Sequence, residues 1–310
     1  MIADFAMQNA PLTPDDIVRE VRHLPSAPKV LPRLKELLVD GNSAMHEIVA
    51  LIRLDPGIAA RVLQVANSAY YAKGVRCYTV DEAVHRVGYT EVYDLVGYAV
   101  ASQVLVRPLE VYGIEADELW KLSVVGAIAA ELLAIRTRQD RDVAYTIGLL
   151  HCVGMVAIDE WALRFAPALR LKHTGFPREA VESERAAFGF NQAETGGALL
   201  RHWDFPASMS EPVRWQYTPR ASAGQAKMAS LLVAAKWLRS AVCVKAGEKA
   251  PPLPDPAHLQ PLGVGPLALQ SMVKDVSARI TAVSSLLEDS APGFDLRRFP
   301  FPAHDWAHHA

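Results

Sequence analysis

The sequence predicts an all-α protein. Apolar residues recur at three- and four-residue spacing along most of the chain, and helix starts are marked by capping side chains, often followed by proline. No convincing stretch alternates apolar and polar residues as a half-buried strand would.

The elements follow in order. The first ten residues carry no periodic signal. Thr13-Pro14-Asp15-Asp16 then opens a helix with a hydroxyl cap, a first-turn proline and acids at the positive end of the dipole, and Ile17, Val18 and Val21 form its stripe. Leu24-Pro25-Ser26-Ala27-Pro28 ends it and launches a second helix, with Leu31, Leu34, Leu37 and Leu38 on one face. A third turns Met45, Ile48, Val49 and Ile52 inward. Asp55-Pro56 repeats the cap-then-proline device ahead of Ile58, Val62, Val65 and Ala66. Thr79 and Glu82 read as a capping box, and the short helix after them stops at Gly88. Thr90 starts another, with Val92, Leu95, Val96, Ala99 and Val100 inward.

Further helical patterns cover roughly 116–136, 142–160, 178–187, 191–202 and 222–245. The prolines and glycines of 247–266 then break the composition, since neither sits well inside a helix. One more amphipathic helix carries Leu269, Met272, Val273, Val276, Ile280 and Val283 on a single face. It is expected to pack back on the domain or to pair with a second copy. The expected organisation is a loose N-terminus at 1–13, a helical half at 14–107, a helical bundle at 108–246, a linker at 247–266, and a helix with an irregular, histidine-containing tail at 267–310.

Composition limits the function. Of 310 residues, 32 are basic and 34 acidic, a net charge of −2 that gives no reason to expect a nucleic-acid partner. The three cysteines, Cys77, Cys152 and Cys243, are far apart and form no CxxC pair, which points to reduced thiols rather than a zinc knuckle or disulfides. The N-terminus lacks the basic and apolar regions of a signal peptide. Apolar stretches are interrupted before the roughly 18 residues of a membrane span. The expectation is a soluble, cytoplasmic protein without a membrane partner. No P-loop, GxSxG elbow or strand-borne GxGxxG occurs.

Several spaced motifs carry a resemblance. Leu149-Leu150-His151-Cys152-Val153-Gly154-Met155 resembles a degenerate form of the "LLHDIGK" signature of HD-domain phosphohydrolases, whose adjacent His and Asp are both metal ligands. Leu24 to Pro28, Leu54-Asp55-Pro56-Gly57 to Leu63, Ala66-Asn67-Ser68-Ala69-Tyr70-Tyr71 and Thr79 to Gly88 are similar to successive motifs of the HDOD (HD-related output domain) family. The resemblance runs in order from about Leu24 to Tyr217.

The resemblance implies an HD-like fold and lets the metal ligands be checked one by one. Leu122 stands where a histidine belongs, and His151 is retained. Cys152 replaces the aspartate, Gln192 another histidine, Gln216-Tyr217 a histidine pair, and Lys236 a carboxylate. One imidazole does not make a hydrolytic site, which needs about three protein ligands and an open water position. The expectation is therefore no catalysis, no metal and no cofactor. What the resemblance implies instead is a bacterial signal-transduction protein, expected to be free-standing, that acts by binding a signalling partner. The alternatives are a divergent metal-dependent nucleotide phosphohydrolase and a non-hydrolysing sensor of a signalling nucleotide; oligomeric state, including a homodimer, stays open.

The joint between the helical halves, near Asp55, Asn67, Ser68, Tyr70 and Tyr71, is the expected binding groove, because clefts between subdomains favour ligands. Blander readings stand beside it. Asp55 reads first as a helix cap, Asn67-Ser68 as a turn, and Tyr70-Tyr71 as core or groove packing. His151 reads as a hydrogen-bonded core histidine and Cys152 as a small buried hydrophobe.

Overall fold

The computed structural model describes residues 12–21, 37, 44–67, 69–72, 74–88, 92, 108–171, 178–244 and 251–288. Among these there is no strand, and the sole β-type pairing is an isolated bridge between Leu109 and Ile114. Apart from Leu37 and Val92, both helical and buried, the helices expected around 31–38 and 90–100 and the C-terminal tail lie outside the described residues.

The helices are α1 (Pro14–Val18), α2 (Met45–Arg53), α3 (Pro56–Ala66), α4 (Ala69–Ala72), α5 (Val80–Val87), α6 (Ala116–Thr137), α7 (Arg141–Leu150) and α8 (Val153–Phe165). They continue with α9 (Arg178–Phe188), α10 (Gln192–His202), α11 (Ala207–Arg214), α12 (Ala226–Val242), α13 (Pro256–Leu259) and α14 (Pro266–Glu288). The cap residues act as the sequence implies, except that the Glu82 carboxylate accepts from Tyr78 N instead of closing a box on Thr79 N. Thr13 and Asp16 form a capping box on α1, the Asp55 carboxylate accepts from Ile58 N at 2.9 Å on α3, and Thr79 accepts from Glu82 N at 3.1 Å on α5.

Helices α2, α3 and α5 form the N-terminal layer. The bundle is centred on α6, which packs against α7 and α12, while α10 packs against α8 and α11. Helix α1 crosses over to α10 and α8. Two close crossings depend on glycine. A Cβ on Gly154 of α8 would lie 1.8 Å from the Gln192 carbonyl oxygen of α10, and one on Gly148 of α7 would lie 2.8 Å from Ala127 Cα of α6.

Three expectations need correction. The single helix expected over 142–160 is two, because the chain turns at His151-Cys152 between α7 and α8. There the imidazole takes the Gly148 carbonyl at the helix end. Helix α11 was not legible, since Pro212 inside it reads as a breaker; burial of Met209 and Val213 against the bundle outweighs the lost backbone bond. The described part of the 247–266 linker is bound to the bundle. Trp237 Nε1 donates to the Pro252 carbonyl at 2.9 Å, and Leu259 is buried. Helix α14 then lays Leu269, Met272, Val276 and Ile280 against the bundle, contacting α12 and α6. The stretch 141–165 is apolar enough to cross a membrane, but its most apolar 18 residues are 94% buried inside the protein and the stretch is broken by the turn.

Candidate functional site

The turn between α7 and α8 places His151 at the centre of the bundle, 1% exposed. Its ring lies over Gly126 of α6, where a Cβ would come 2.8 Å from His151 Cε1. Imidazole Nδ1 is 2.6 Å from the Gly148 carbonyl oxygen, and Nε2 is 2.9 Å from Arg239 NH1. A carbonyl can only accept and a guanidinium can only donate. These partners fix the neutral tautomer with the proton on Nδ1 and a lone pair on Nε2. Burial pushes the imidazole well below its usual range, and the Arg239 and Lys236 cations add to the effect.

Every position that the resemblance assigns to a ligand comes to this region. Leu122 of α6 is buried, and its carbonyl accepts from Arg239 NH1 at 3.4 Å. Cys152 Sγ lies 3.2 Å from His151 Nε2, its thiol pushed up by burial. Gln216 Nε2 donates to the His151 carbonyl at 2.9 Å. Lys236 Nζ donates to the Gln216 carbonyl at 3.0 Å and to its Oε1 at 3.1 Å. The Lys236 ammonium also sits 3.8 Å from the centre of the Tyr217 ring. It points inward, but its bonds go to the chain itself, and burial holds it well below the usual lysine range. Gln192 Nε2 donates to Tyr217 Oη at 2.6 Å.

Sequence reasoning missed three members: Arg239, Glu184 and Tyr112. Arg239 is fully buried on α12, one turn beyond Lys236. Glu184 of α9 is fully buried as well, accepting from Tyr112 Oη on one oxygen and from Gln192 N on the other, both at 2.8 Å. Burial raises the Glu184 carboxyl to about 7. The signal for Glu184 was present: it falls on the stripe of Ala180, Val181 and Phe188, at a spacing reserved for core. Arg239 likewise falls on a buried stripe, with Ala235 and Leu232 one and two turns before it. Together these side chains make a buried polar thread from Tyr112 through Glu184, Gln192, Tyr217, Lys236, Gln216 and His151 to Arg239. A divalent ion entering here would find one imidazole nitrogen already accepting from a guanidinium, a protonated thiol, two amides, the Lys236 nitrogen, and a Glu184 carboxyl whose two oxygens are taken by Tyr112 and Gln192 N. That donor set does not fit a catalytic metal.

The groove residues divide. Asp55 is fully buried and spent on its helix cap. Asn67, 2% exposed, is a fastener: its Oδ1 accepts from Cys77 N at 2.7 Å and its Nδ2 donates to the Cys77 carbonyl at 3.0 Å. Neither lines a surface, which corrects the groove expectation for both. Tyr71 is half-buried against the core; Ser68 and the Tyr70 side chain lie outside the described residues. The joint itself centres on the C-terminus of α2. Tyr145 Oη donates to the Arg53 carbonyl at 2.7 Å and Trp120 Nε1 to the Leu54 carbonyl at 2.5 Å, so bundle side chains cap α2. The Arg53 guanidinium meets Glu131 at 3.1 Å, Asp81 at 3.3 Å and Asp142 at 3.8 Å. A shallow cleft beside it is lined by Thr79, Asp81, Asp142 and Tyr145.

The fold and this core define a helical protein of the HD-like class with few metal-ligating side chains at its centre. Residues 24–219 match the HDOD domain, and the chain belongs to that family. A Treponema pallidum protein described as uncharacterized is 26% identical over 209 residues, 65% of this chain and 39% of its own length. The chain thus spans well under half of that curated relative. Among solved structures, the MmoQ response regulator of Methylococcus capsulatus has a TM-score of 0.66 at 21% identity, over 82% of this chain and 99% of that one. A Campylobacter jejuni virulence factor has a TM-score of 0.59 at 18% identity, over 90% and 98%. At these identities the likeness is one of fold.

Proposed function

We propose that this HDOD chain is a cytoplasmic bacterial signal-transduction protein that works by binding a protein partner and performs no chemistry. The observation that carries this reading is the occupation of His151: the one retained imidazole spends both ring nitrogens on the protein itself, Nδ1 on Gly148 and Nε2 on Arg239. A hydrolytic centre needs that nitrogen on a metal and a water beside it. The fold likeness to a response regulator is compatible with a signalling role.

The binding face is placed at the strap that Asn67 fastens, where Val75 is 64% exposed and Tyr78 36% exposed beside Arg76. Singly exposed apolar residues are ordinary, but these two lie three residues apart on one short segment that Asn67 fastens at Cys77. The test has two arms. Purified protein is assayed on nucleotides and phosphodiesters with added manganese, iron or zinc, and no turnover is expected. Turnover abolished by His151→Ala would overturn the reading. In the second arm, crosslinking in the native bacterium is compared for wild type and a folded Val75→Glu/Tyr78→Glu variant. A specific partner captured by wild type and lost in the variant is expected; equal capture would remove the face from the proposal.

A further inference from the structure

A histidine that binds a metal almost always donates its other ring N–H to a carbonyl, a carboxylate or water, which fixes the tautomer and aims the free lone pair at the ion. His151 has that arrangement, with Nδ1–H on the Gly148 carbonyl and Nε2 bare. The Arg239 guanidinium faces that unprotonated nitrogen at 2.9 Å, with the Cys152 thiol at 3.2 Å.

We infer that the Arg239 guanidinium is a resident cation standing in the metal position, bonded at two ligand positions and beside a third. NH1 lies 2.9 Å from His151 Nε2 and 3.4 Å from the Leu122 carbonyl, and the Cys152 thiol lies beside it, 3.2 Å from the same Nε2. Those are the retained histidine, the position of a lost histidine and the position of the lost aspartate. Helix geometry permits it: Arg239 lies one turn beyond Lys236 on α12, so both side chains leave the same face toward the α7–α8 turn. The chemistry suits the exchange, because a guanidinium stays charged in a protein interior and offers several donors in one plane. Where a metal would draw ligand lone pairs inward, Arg239 supplies donors to them. Loss of metal ligands in this chain therefore leaves no empty charged hole; the protein fills the position covalently and fastens α12 to α6 and to the α7–α8 turn.

This inference concerns what occupies the core and does not rest on partner binding. Long-range 1H–15N spectra of imidazole-labelled wild type at pH 7 should show His151 as the neutral Nδ1–H tautomer, unmoved by one equivalent of cobalt(II). A second pair of proteins asks whether the guanidinium bars the ion. Cys152→Asp/Lys236→Asp restores two carboxylates and keeps Arg239, and Cys152→Asp/Lys236→Asp/Arg239→Ala removes it. Dialysed against cobalt(II), the triple variant should hold about one ion per chain and the double variant at least tenfold less. An Nε2–H tautomer, a wild-type His151 signal lost on cobalt addition, or equal cobalt in two folded variants would overturn the inference. If the variants do not fold, the wild-type spectrum decides alone. Cobalt uptake by wild type without turnover would sink this inference and leave the binding role standing; turnover dependent on His151 would sink both.

Discussion

Gly154 of α8 lies so close to Gln192 of α10 that a methyl group on its Cα would sit 1.8 Å from the Gln192 carbonyl oxygen. The obstacle is backbone, which cannot swing aside as a side chain could. Gln192 also holds the polar thread, donating through its amide to Tyr217 and through its backbone N–H to Glu184. The crossing and the polar core are therefore one construction. Gly154→Ala must push α8 and α10 apart, an overpacking cost of about 3 kcal/mol or more. A fall in Tm of roughly 6 °C or more is expected by calorimetry. An unchanged Tm would mean that the helices do not meet this closely.

Asn67 joins the end of α3 to the strap at Cys77 by two hydrogen bonds that copy a strand pairing. Asn67→Ala leaves a buried N–H and a buried carbonyl without those partners, at about 2–3 kcal/mol. Asn67→Asp keeps an acceptor for Cys77 N but sets a carboxylate oxygen against the Cys77 carbonyl, so it should be the worse variant near neutral pH and recover toward acid. Urea denaturation of both variants at pH 5 and pH 8 tests the order, with Cys77 amide exchange as the local readout.

Glu184 makes stability depend on pH. Burial raises its carboxyl to about 7 from the ordinary 4.5, so between those values the folded protein holds a proton that the unfolded chain has lost. Stability from this group is present below about 4.5, falls as pH rises through about 7, and is then lost, by up to about 3 kcal/mol. Glu184→Gln should flatten that part of the profile of urea midpoint against pH while keeping a neutral partner for Tyr112. A variant with the same slope as wild type would assign the dependence to other groups.

These cases show what could be read in advance. Most of the longer helices and most caps were legible because capping and periodicity are local: Asp55 and Thr79 cap α3 and α5 as their spacing implies. The convergence of Leu122, His151, Cys152, Gln192, Gln216 and Lys236 was legible only by likeness to a family, since no local rule links residues on different helices. Arg239 escaped because the likeness says nothing of a position that bears no ligand. The fastening role of Asn67 escaped because its partner lies ten residues away in a segment without periodicity.

Arg53 is the polar clasp between the two helical halves. Its side chain, 22% exposed, is shared by Glu131 of α6, Asp142 of α7 and Asp81 of α5, and its guanidinium stacks 4.3 Å from the centre of the Tyr145 ring. Arg53→Ala leaves three carboxylates facing one another across the joint and should cost about 1–2 kcal/mol, discounted for the solvent that reaches Asp81. Arg53→Lys should recover less than half of that, because an ammonium cannot reach several carboxylates and stack on a ring together. The loss should concentrate at the joint, so amide exchange should quicken in α2 and at the N-termini of α5 and α7 before the α6–α12 core responds. Uniform quickening through the whole chain would show that Arg53 supports global stability without acting as a clasp.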